Sequence, residues 1–261
     1  ALGTFSLENN TTGDDNTALG RNTLAANTTG SHNTAVGRDA LAANNGSNNT
    51  AVGRDALVAN TTGGKNTAVG AYALVANTTG GYNTALGYYA LDANTTASNS
   101  TAIGYETLSA STGADNTAVG FQALKETTTG TRNTGVGYEA LEKNTTGQYN
   151  AGLGAFALWA NTTASNNAAV GYNALGANTT GADNAAVGRD ALANNTTASN
   201  NTAVGKSALA ANTTGTRNTA LGTSALLVAT ADNNTALGYN ALVTSTTGSD
   251  NVAVGVYALQ D

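Results

Sequence analysis

The sequence predicts an all-β protein: a β-solenoid, or parallel β-roll, of about sixteen 17-residue coils, intertwined or packed as a homotrimer. Three observations favour this fold: a fixed repeat period, a strand-like motif in every repeat, and a turn-forming segment between the motifs. The 261 residues include 32 Gly, no Pro, Cys or Met, and only 10% charged residues. Low hydrophobicity can signal disorder, but a disordered chain has no reason to keep a strict register.

The period is measured from the glycine that closes motifs such as NTAVG. This glycine recurs sixteen times from Gly3 to Gly255, at twelve intervals of 17 residues and three of 16. The short repeats, 37–53, 104–120 and 222–238, each lose one residue from the NTTG segment, which is therefore a loop that tolerates deletion. We expect a single repeat domain over residues 1–261, taken from a longer fibre protein.

The first element of each repeat is the strand. Residues of NTAVG alternate, so that Thr and the branched residue point one way while Asn, Ala and Gly point the other. A leucine follows the glycine four residues later in every repeat. We expect the branched residues and these leucines to form the core ladder inside each chain: Val36, Val52, Val69, Leu86, Leu41, Leu57, Leu74 and Leu91.

Two further elements complete the coil. The xxALxA segment is consistent with a second short strand or a single helical turn, and we favour a strand with turns. NTTGxx supplies turn chemistry, since Asn, Thr and Gly bond their own backbone or adopt positive φ. Stacking at about 4.8 Å per coil places identical residues over one another. Asn33, Asn49, Asn66 and Asn83 should then form a polar ladder bonded along the axis.

The core of one coil is thin, since it offers one branched residue, one Leu and about three Ala. A repeat buries its hydrophobic face only against neighbours. We therefore predict a second core layer between chains, formed by the strand alanines, with Gly135 and Gly152 substituting in two repeats. The predicted inter-chain stripe includes Ala35, Ala51, Ala68 and Ala85.

The repeat motifs resemble those of a known class of fibrous proteins. NTAVG (33–37, 49–53, 66–70) and NTALG (16–20, 83–87, 218–222, 234–238) are similar to the head repeats of trimeric autotransporter adhesins of the YadA type. They also resemble the repeat shafts of phage tail fibres and bacterial surface fibres. The resemblance implies three subunits, each a parallel β-roll, in an extracellular fibre on a cell or a virion. The period of 17 departs from the shorter adhesin repeats, with NTTG as the extra loop.

Little in the sequence points to catalysis. An enzyme needs a few unlike residues converging at one place, whereas this chain has one His, His32, no Cys, and scattered carboxylates. We expect no enzymatic activity, no metal and no cofactor. The net charge of −6 disfavours nucleic acid, which requires a basic stripe. No apolar run approaches the roughly 20 residues of a membrane span, so we expect no membrane contact by this segment.

Among the repeat positions that vary from coil to coil, those with aromatic residues are the most informative about function. The densest clusters are the Tyr88/Tyr89 pair and Phe156 with Trp159. They either cover the thin core at the coil edge, which we favour, or contact a ligand such as a host-surface protein or glycan. NTT is also a glycosylation sequon, but its simplest explanation is turn chemistry at the bend of each coil. Examples are Asn27, Asn60, Asn77, Asn161 and Asn212.

These features predict a non-catalytic structural and adhesive fibre segment whose partners are copies of itself and a receptor. One alternative is a self-polymerising extracellular filament, since bare repeats at both ends would allow end-to-end stacking. The other is an ice-binding β-solenoid with a flat ladder of Thr. Against ice binding, adjacent loop Thr side chains diverge, and the strand Thr is missing at Ala151, Ala168, Ala185 and Val252.

Overall fold

The computed structural model is an all-β parallel β-solenoid of about fourteen coils, and it describes residues 1–228, 230–244 and 247–259. No α-helix occurs in these ranges. The chain divides into two compact units, Ala1–Thr131 and Arg132–Asp261. The all-β, parallel β-solenoid part of the predicted fold class is confirmed. The homotrimer and the single domain stay predictions, and the described strands support about fourteen coils where sixteen were expected.

Every strand has three residues and comes from the motif predicted to form it. The first unit contains β1 (Thr17–Leu19), β2 (Thr34–Val36), β3 (Thr50–Val52), β4 (Thr67–Val69), β5 (Thr84–Leu86), β6 (Thr101–Ile103) and β7 (Thr117–Val119). The second unit contains β8 (Thr134–Val136), β9 (Ala151–Leu153), β10 (Ala168–Val170), β11 (Ala185–Val187), β12 (Thr202–Val204), β13 (Thr219–Leu221), β14 (Thr235–Leu237) and β15 (Val252–Val254).

Within each unit, consecutive strands pair in parallel and in strict register. Between β3 and β4, for example, Thr50 lies opposite Thr67, Ala51 opposite Ala68, and Val52 opposite Val69. The same one-to-one match holds for the other pairs within the first unit and for those within the second. Each coil is therefore the hydrogen-bonding template for the next, as in other repeat proteins.

The strands face the opposite way from the prediction. Their middle alanines lie inside a single chain, and Ala35, Ala51, Ala68 and Ala85 have 0% exposed surface, so their assignment to an inter-chain stripe is wrong. The branched residues point outward: Val36 and Val69 are partly exposed, Val52 is 36% exposed and Leu86 44%. Their assignment to the core ladder is therefore wrong as well.

The narrow interior of the coil explains this orientation. At Gly152, which replaces the strand alanine, an added Cβ would lie 3.1 Å from the carbonyl oxygen of Ala157 and 3.3 Å from the Leu141 side chain. A methyl group therefore just fits between the strand and the segment across from it. A valine or leucine would overpack the site, which destabilises a well-packed core.

The leucine half of the predicted core is confirmed. Leu41, Leu57, Leu74 and Leu91 are completely buried. The xxALxA segment that carries them is a turn, so the expectation of a second strand is wrong. Leu41 and Leu57 have φ of 51° and 52°, a left-handed conformation that costs about 1–2 kcal/mol per residue. Complete burial of the side chain, worth about 1.5–3 kcal/mol, offsets that cost.

Two ladders of buried asparagines complete the interior. In the predicted ladder, the backbone donates the axial bond: Asn66 N–H donates to Asn49 Oδ1 (3.0 Å), while Asn66 Nδ2 donates to the Gly80 carbonyl (2.8 Å). A second ladder comes from the NTTG segment. There Asn77 Nδ2 donates to Asn60 Oδ1 (2.8 Å) and to the carbonyl of Gly80 (3.0 Å). The coil interior therefore combines apolar side chains with hydrogen-bonded amides. Among the described residues, the buried side-chain atoms without a partner are Asp92 Oδ1, Thr127 Oγ1 and Asn234 Nδ2.

Candidate functional site

The first and third residues of each strand point outward. We call the surface that they form in each unit the outer face. In the first unit this face carries Thr at one position and Leu, Val or Ile at the other in all seven strands. In the second unit Thr is replaced at Ala151, Ala168, Ala185 and Val252. No charged residue occupies the outer face of the described strands. In-register pairing makes each unit's face a regular array of side chains.

The predicted Tyr88/Tyr89 pair lies within a run of aromatic rings at the edge of the first unit's coils. The two ring centroids are 4.3 Å apart with an edge-on arrangement. Tyr88 stacks on Tyr105 at 5.8 Å, and Tyr105 stacks on Phe121 at 5.4 Å. Tyr72 stacks on Tyr89 at 4.9 Å. Because stacking covers ring faces, these side chains offer mainly edges and hydroxyl groups to a partner.

Hydrogen bonds raise the pKa of two of these tyrosine hydroxyl groups. A hydrogen bond with Tyr88, followed by partial burial, raises the pKa of Tyr89. A hydrogen bond with Glu106 raises the pKa of Tyr105. A tyrosine hydroxyl is protonated at physiological pH even at its ordinary pKa, and in that form it can donate a hydrogen bond.

Phe156 and Trp159, the second predicted cluster, have separate side-chain partners. Phe156 meets Tyr138 and Tyr172 edge-on, with centroid distances of 5.4 and 5.9 Å. Trp159 donates its Nε1–H to Glu142 Oε2 (2.6 Å), and Lys143 Nζ lies 3.6 Å from the centre of its ring. The Trp159 ring is therefore already used within the protein by a hydrogen bond and a cation–π contact.

A charged cluster that the sequence analysis missed lies beside Tyr89. Lys125 Nζ and Gln122 Nε2 approach Glu106 Oε2 at 2.7 and 2.9 Å. These contacts, led by the Lys125 hydrogen bond, lower the pKa of Glu106. Burial raises the pKa of Asp92 to about 6, and its Oδ1 has no partner among the described residues.

The cluster borders a cavity of about 320 Å³ that Tyr89 and Ser109 also line. Asp92, Ser109 and Lys125 occupy the same position of successive repeats. Aligning the repeats by their leucines would have revealed this run of polar residues in a column that otherwise holds mostly apolar side chains. The cluster therefore follows from the period, although no single repeat shows it.

The remaining candidate residues are dispersed. His32 Nδ1 lies 3.5 Å from Asp15 Oδ2, and both side chains are largely exposed. Within residues 1–228, 230–244 and 247–259, no group of three His, Asp or Glu residues is arranged to hold a metal ion. The same ranges contain no helix that is long and apolar enough to span a membrane.

The sequon asparagines belong to the second buried ladder. Asn27, Asn60, Asn77, Asn161 and Asn212 all have 0% exposed surface. Asn60 Nδ2 donates to the carbonyl of Gly63 (2.8 Å), which closes the turn within NTTG. This bond confirms turn chemistry as the role of that asparagine. The folded coil does not present the nitrogen for modification.

No protein-family model matches the chain, and no curated protein matches it significantly.

Proposed function

We propose that this chain is a non-catalytic structural and adhesive segment of an extracellular fibre, in which three copies pack through their outer faces. The observation that carries the proposal is the uncharged ladder of branched side chains on the outside of every described strand. Leu19, Leu86 and Leu221 are 44–45% exposed, although nothing in a single chain requires leucine there. Exposed apolar ladders of this kind mark surfaces that contact another protein.

The size of the outer face suits an assembly of copies. With strands about 4.8 Å apart and three residues long, the seven strands of the first unit present about 330 Å². The eight strands of the second unit add about 380 Å² by the same geometry. A stable interface buries about 800 Å² per partner, so each unit's face by itself supplies roughly two fifths to a half of that area. The likeness of the repeats to adhesin heads supports three copies rather than two.

The adhesive part of the proposal concerns the aromatic edge. Tyr88 and Tyr89 follow the marker glycine and are not part of the strand residues that form the outer face, and Tyr88 is exposed in the single chain. Their ring edges and hydroxyl groups suit a protein or glycan receptor on a host surface, since Tyr is enriched where proteins meet partners. Phe156 and Trp159 are weaker candidates, because Trp159 is bonded to Glu142 and covered by Lys143.

The proposal is tested with charges placed on the outer face. Val52→Lys, Val69→Lys and Leu86→Lys combined should dissociate the assembly, because three copies would bring nine ammonium groups together. The matched control is Ala71→Lys, at a repeat position where Arg54 and Lys206 occur naturally. Sedimentation velocity should give single chains for the triple variant and an unchanged species for the control. Assembly that survives the triple substitution would exclude the outer face as the interface.

One observation favours ice binding as a second candidate. Each strand of the first unit begins with an outward threonine, and in-register pairing spaces these hydroxyl and methyl groups regularly. The second unit interrupts the ladder at four strands, which weakens the case. Thermal hysteresis at micromolar concentration is the measurement that separates this candidate from the fibre segment.

A further inference from the structure

One column of loop residues carries a recurring hydrogen bond between coils. The column, which we call the loop column, contains the residue two positions before the asparagine of each strand motif. In the first unit it reads Asp14, Ser31, Ser47, Gly64, Gly81, Ser98, Ala114 and Thr131. Where a serine follows, its Oγ accepts the backbone N–H of the preceding coil. Ser31 N to Ser47 Oγ is 3.1 Å, and Gly81 N to Ser98 Oγ is 3.0 Å.

Two consecutive glycines interrupt this pattern. Since Gly64 and Gly81 have no hydroxyl, the backbone N–H groups of Ser47 and Gly64 have no acceptor among residues 1–228. A Cβ added at Gly64 would lie 3.0 Å from the carbonyl oxygen of Ser47 and 3.9 Å from its nitrogen, and one added at Gly81 would meet the same two atoms of Gly64 at the same distances. Both carbonyl oxygens already accept hydrogen bonds, from the N–H groups of Lys65 and Tyr82. The space next to both N–H groups is therefore the space that serine side chains fill in neighbouring coils.

The space is part of a cavity of about 410 Å³ lined by Ser47, Gly64, Lys65, Tyr82 and Ser98 among others. Lys65 supplies the one charge in its lining, and its Nζ donates to the Tyr82 hydroxyl at 2.9 Å. The nearest acidic residues in the Lys65 column are Asp15 and Asp115, each three coils away. That separation is about 14 Å, which exceeds the Debye length at physiological salt.

We propose that this cavity binds an oxyanion, a carboxylate or sulfate group, through the N–H groups of Ser47 and Gly64 and the Lys65 ammonium. Backbone N–H groups that line a concavity can bind an anion, as in the nests formed by consecutive residues; here the two groups come from equivalent positions of neighbouring coils. A neighbouring cation strengthens such hydrogen bonds. The anion is either a free ion or a group carried by an acidic sugar chain. The site lies in the loops, so it does not depend on assembly through the outer face.

The chain offers a clean probe, because it contains only four lysines: Lys65, Lys125, Lys143 and Lys206. Deuterated full-length protein labelled with ¹⁵N-lysine should give four backbone amide signals. Titration with sodium sulfate, against sodium chloride at equal ionic strength, should shift the Lys65 signal saturably while the other three stay in place. A sulfated disaccharide, added in a parallel titration, should saturate at lower concentration if the anion is sugar-borne and at equal concentration if it is a free ion.

The decisive variant is Gly64→Ser combined with Gly81→Ser, which restores the hydroxyls found in neighbouring coils. It should abolish the saturable shift, while unmoved Lys125, Lys143 and Lys206 signals show that the fold is intact. Ala182→Ser, which adds a serine to the loop column of the second unit, is the matched control and should leave the Lys65 response unchanged. A Lys65 shift that persists in the double variant, or that chloride reproduces, would overturn the proposal.

Discussion

At the scale of single residues, the solenoid depends on side chains that are small or that satisfy their own hydrogen bonds. The strand contributes a methyl group, the turn contributes a leucine, and two asparagines fill the rest of the coil. Hydrogen bonds along the asparagine ladders link each coil to its neighbours. The coil can therefore be narrow while the buried ladder amides, except Asn234 Nδ2 among the described residues, have partners. An unpaired buried polar group would cost about 1–3 kcal/mol.

The marker position requires glycine for two reasons: its backbone conformation and the close approach of the next coil. Gly53 has φ of +138°, and an added Cβ would lie 2.5 Å from the carbonyl oxygen of Gly70. We predict that Gly53→Ala lowers the free energy of unfolding by about 3 kcal/mol or more, from backbone strain and the clash. Gly152→Ala, which restores the alanine of the other strands, should be neutral or stabilise by up to about 1 kcal/mol. Urea unfolding at matched concentration compares the two, and equal losses would contradict the argument.

The second asparagine ladder gives a separate prediction. Asn60 Nδ2 donates to Asn44 Oδ1 (2.6 Å) and to the Gly63 carbonyl (2.8 Å). Asn60→Ala should lower the free energy of unfolding by about 1–3 kcal/mol, because it removes these two bonds and the one that Asn60 Oδ1 accepts from Asn77. Asn49 Nδ2 still donates to both acceptors, which limits the loss. Thr62→Ala, an exposed change in the same loop, should stay within about 0.5 kcal/mol of the parent. A loss of similar size from both substitutions in urea unfolding would show that the ladder does not stabilise the coil.

At the scale of elements, the turn segment that carries the leucines also carries the charged cluster. Burial raises the pKa of Asp92 to about 6, so the folded state holds this proton more tightly than the unfolded chain does. The resulting stability is fully present below the unfolded pKa of about 3.9 and is lost as pH rises through 6. A hydrogen bond from Lys125 is the main cause that lowers the pKa of Glu106, so this carboxylate has the opposite effect on stability. Its stabilising contribution is present above the ordinary pKa of glutamate and is lost as pH falls through the lowered pKa of the folded state.

We therefore predict that the melting temperature falls between pH 4.5 and pH 7 and that Asp92→Asn flattens this slope, by raising the melting temperature at pH 7. The control is Glu8→Gln, which removes one negative charge at an exposed site and should leave the slope in place. Scanning calorimetry across this range is the measurement. An Asp92→Asn protein that keeps the parent slope would mean that Asp92 does not titrate as its burial implies.

The elements also show what the sequence could and could not reveal. The period, the strand positions and the register follow from the recurrence of NTAVG, because identical residues must stack when each coil templates the next. Strand alternation shows that Ala51 and Asn49 share one side while Thr50 and Val52 share the other, but it does not tell which side is inside. Hydrophobicity favours Val52 as the inward residue, whereas the coil is too narrow for a side chain larger than that of alanine.

At the scale of the whole molecule, the two units repeat one design, and their outer faces have no counterpart within the chain. Each face presents Val, Leu or Ile beside Thr, Ala or, in β15, Val, and no described strand places a charge there. Charged side chains lie instead in the loops and after the marker glycine, for example Arg38 and Lys65. This segregation supports packing of identical copies, because packing removes the apolar face from water, which is favourable.

The most direct test of the proposed fibre segment is the mass of the unmodified protein, measured by light scattering after size exclusion over a range of concentrations. Three copies packed through their outer faces should give a concentration-independent mass of three times the chain mass of 25.7 kDa. A mass of one chain at every concentration would contradict assembly through the outer face.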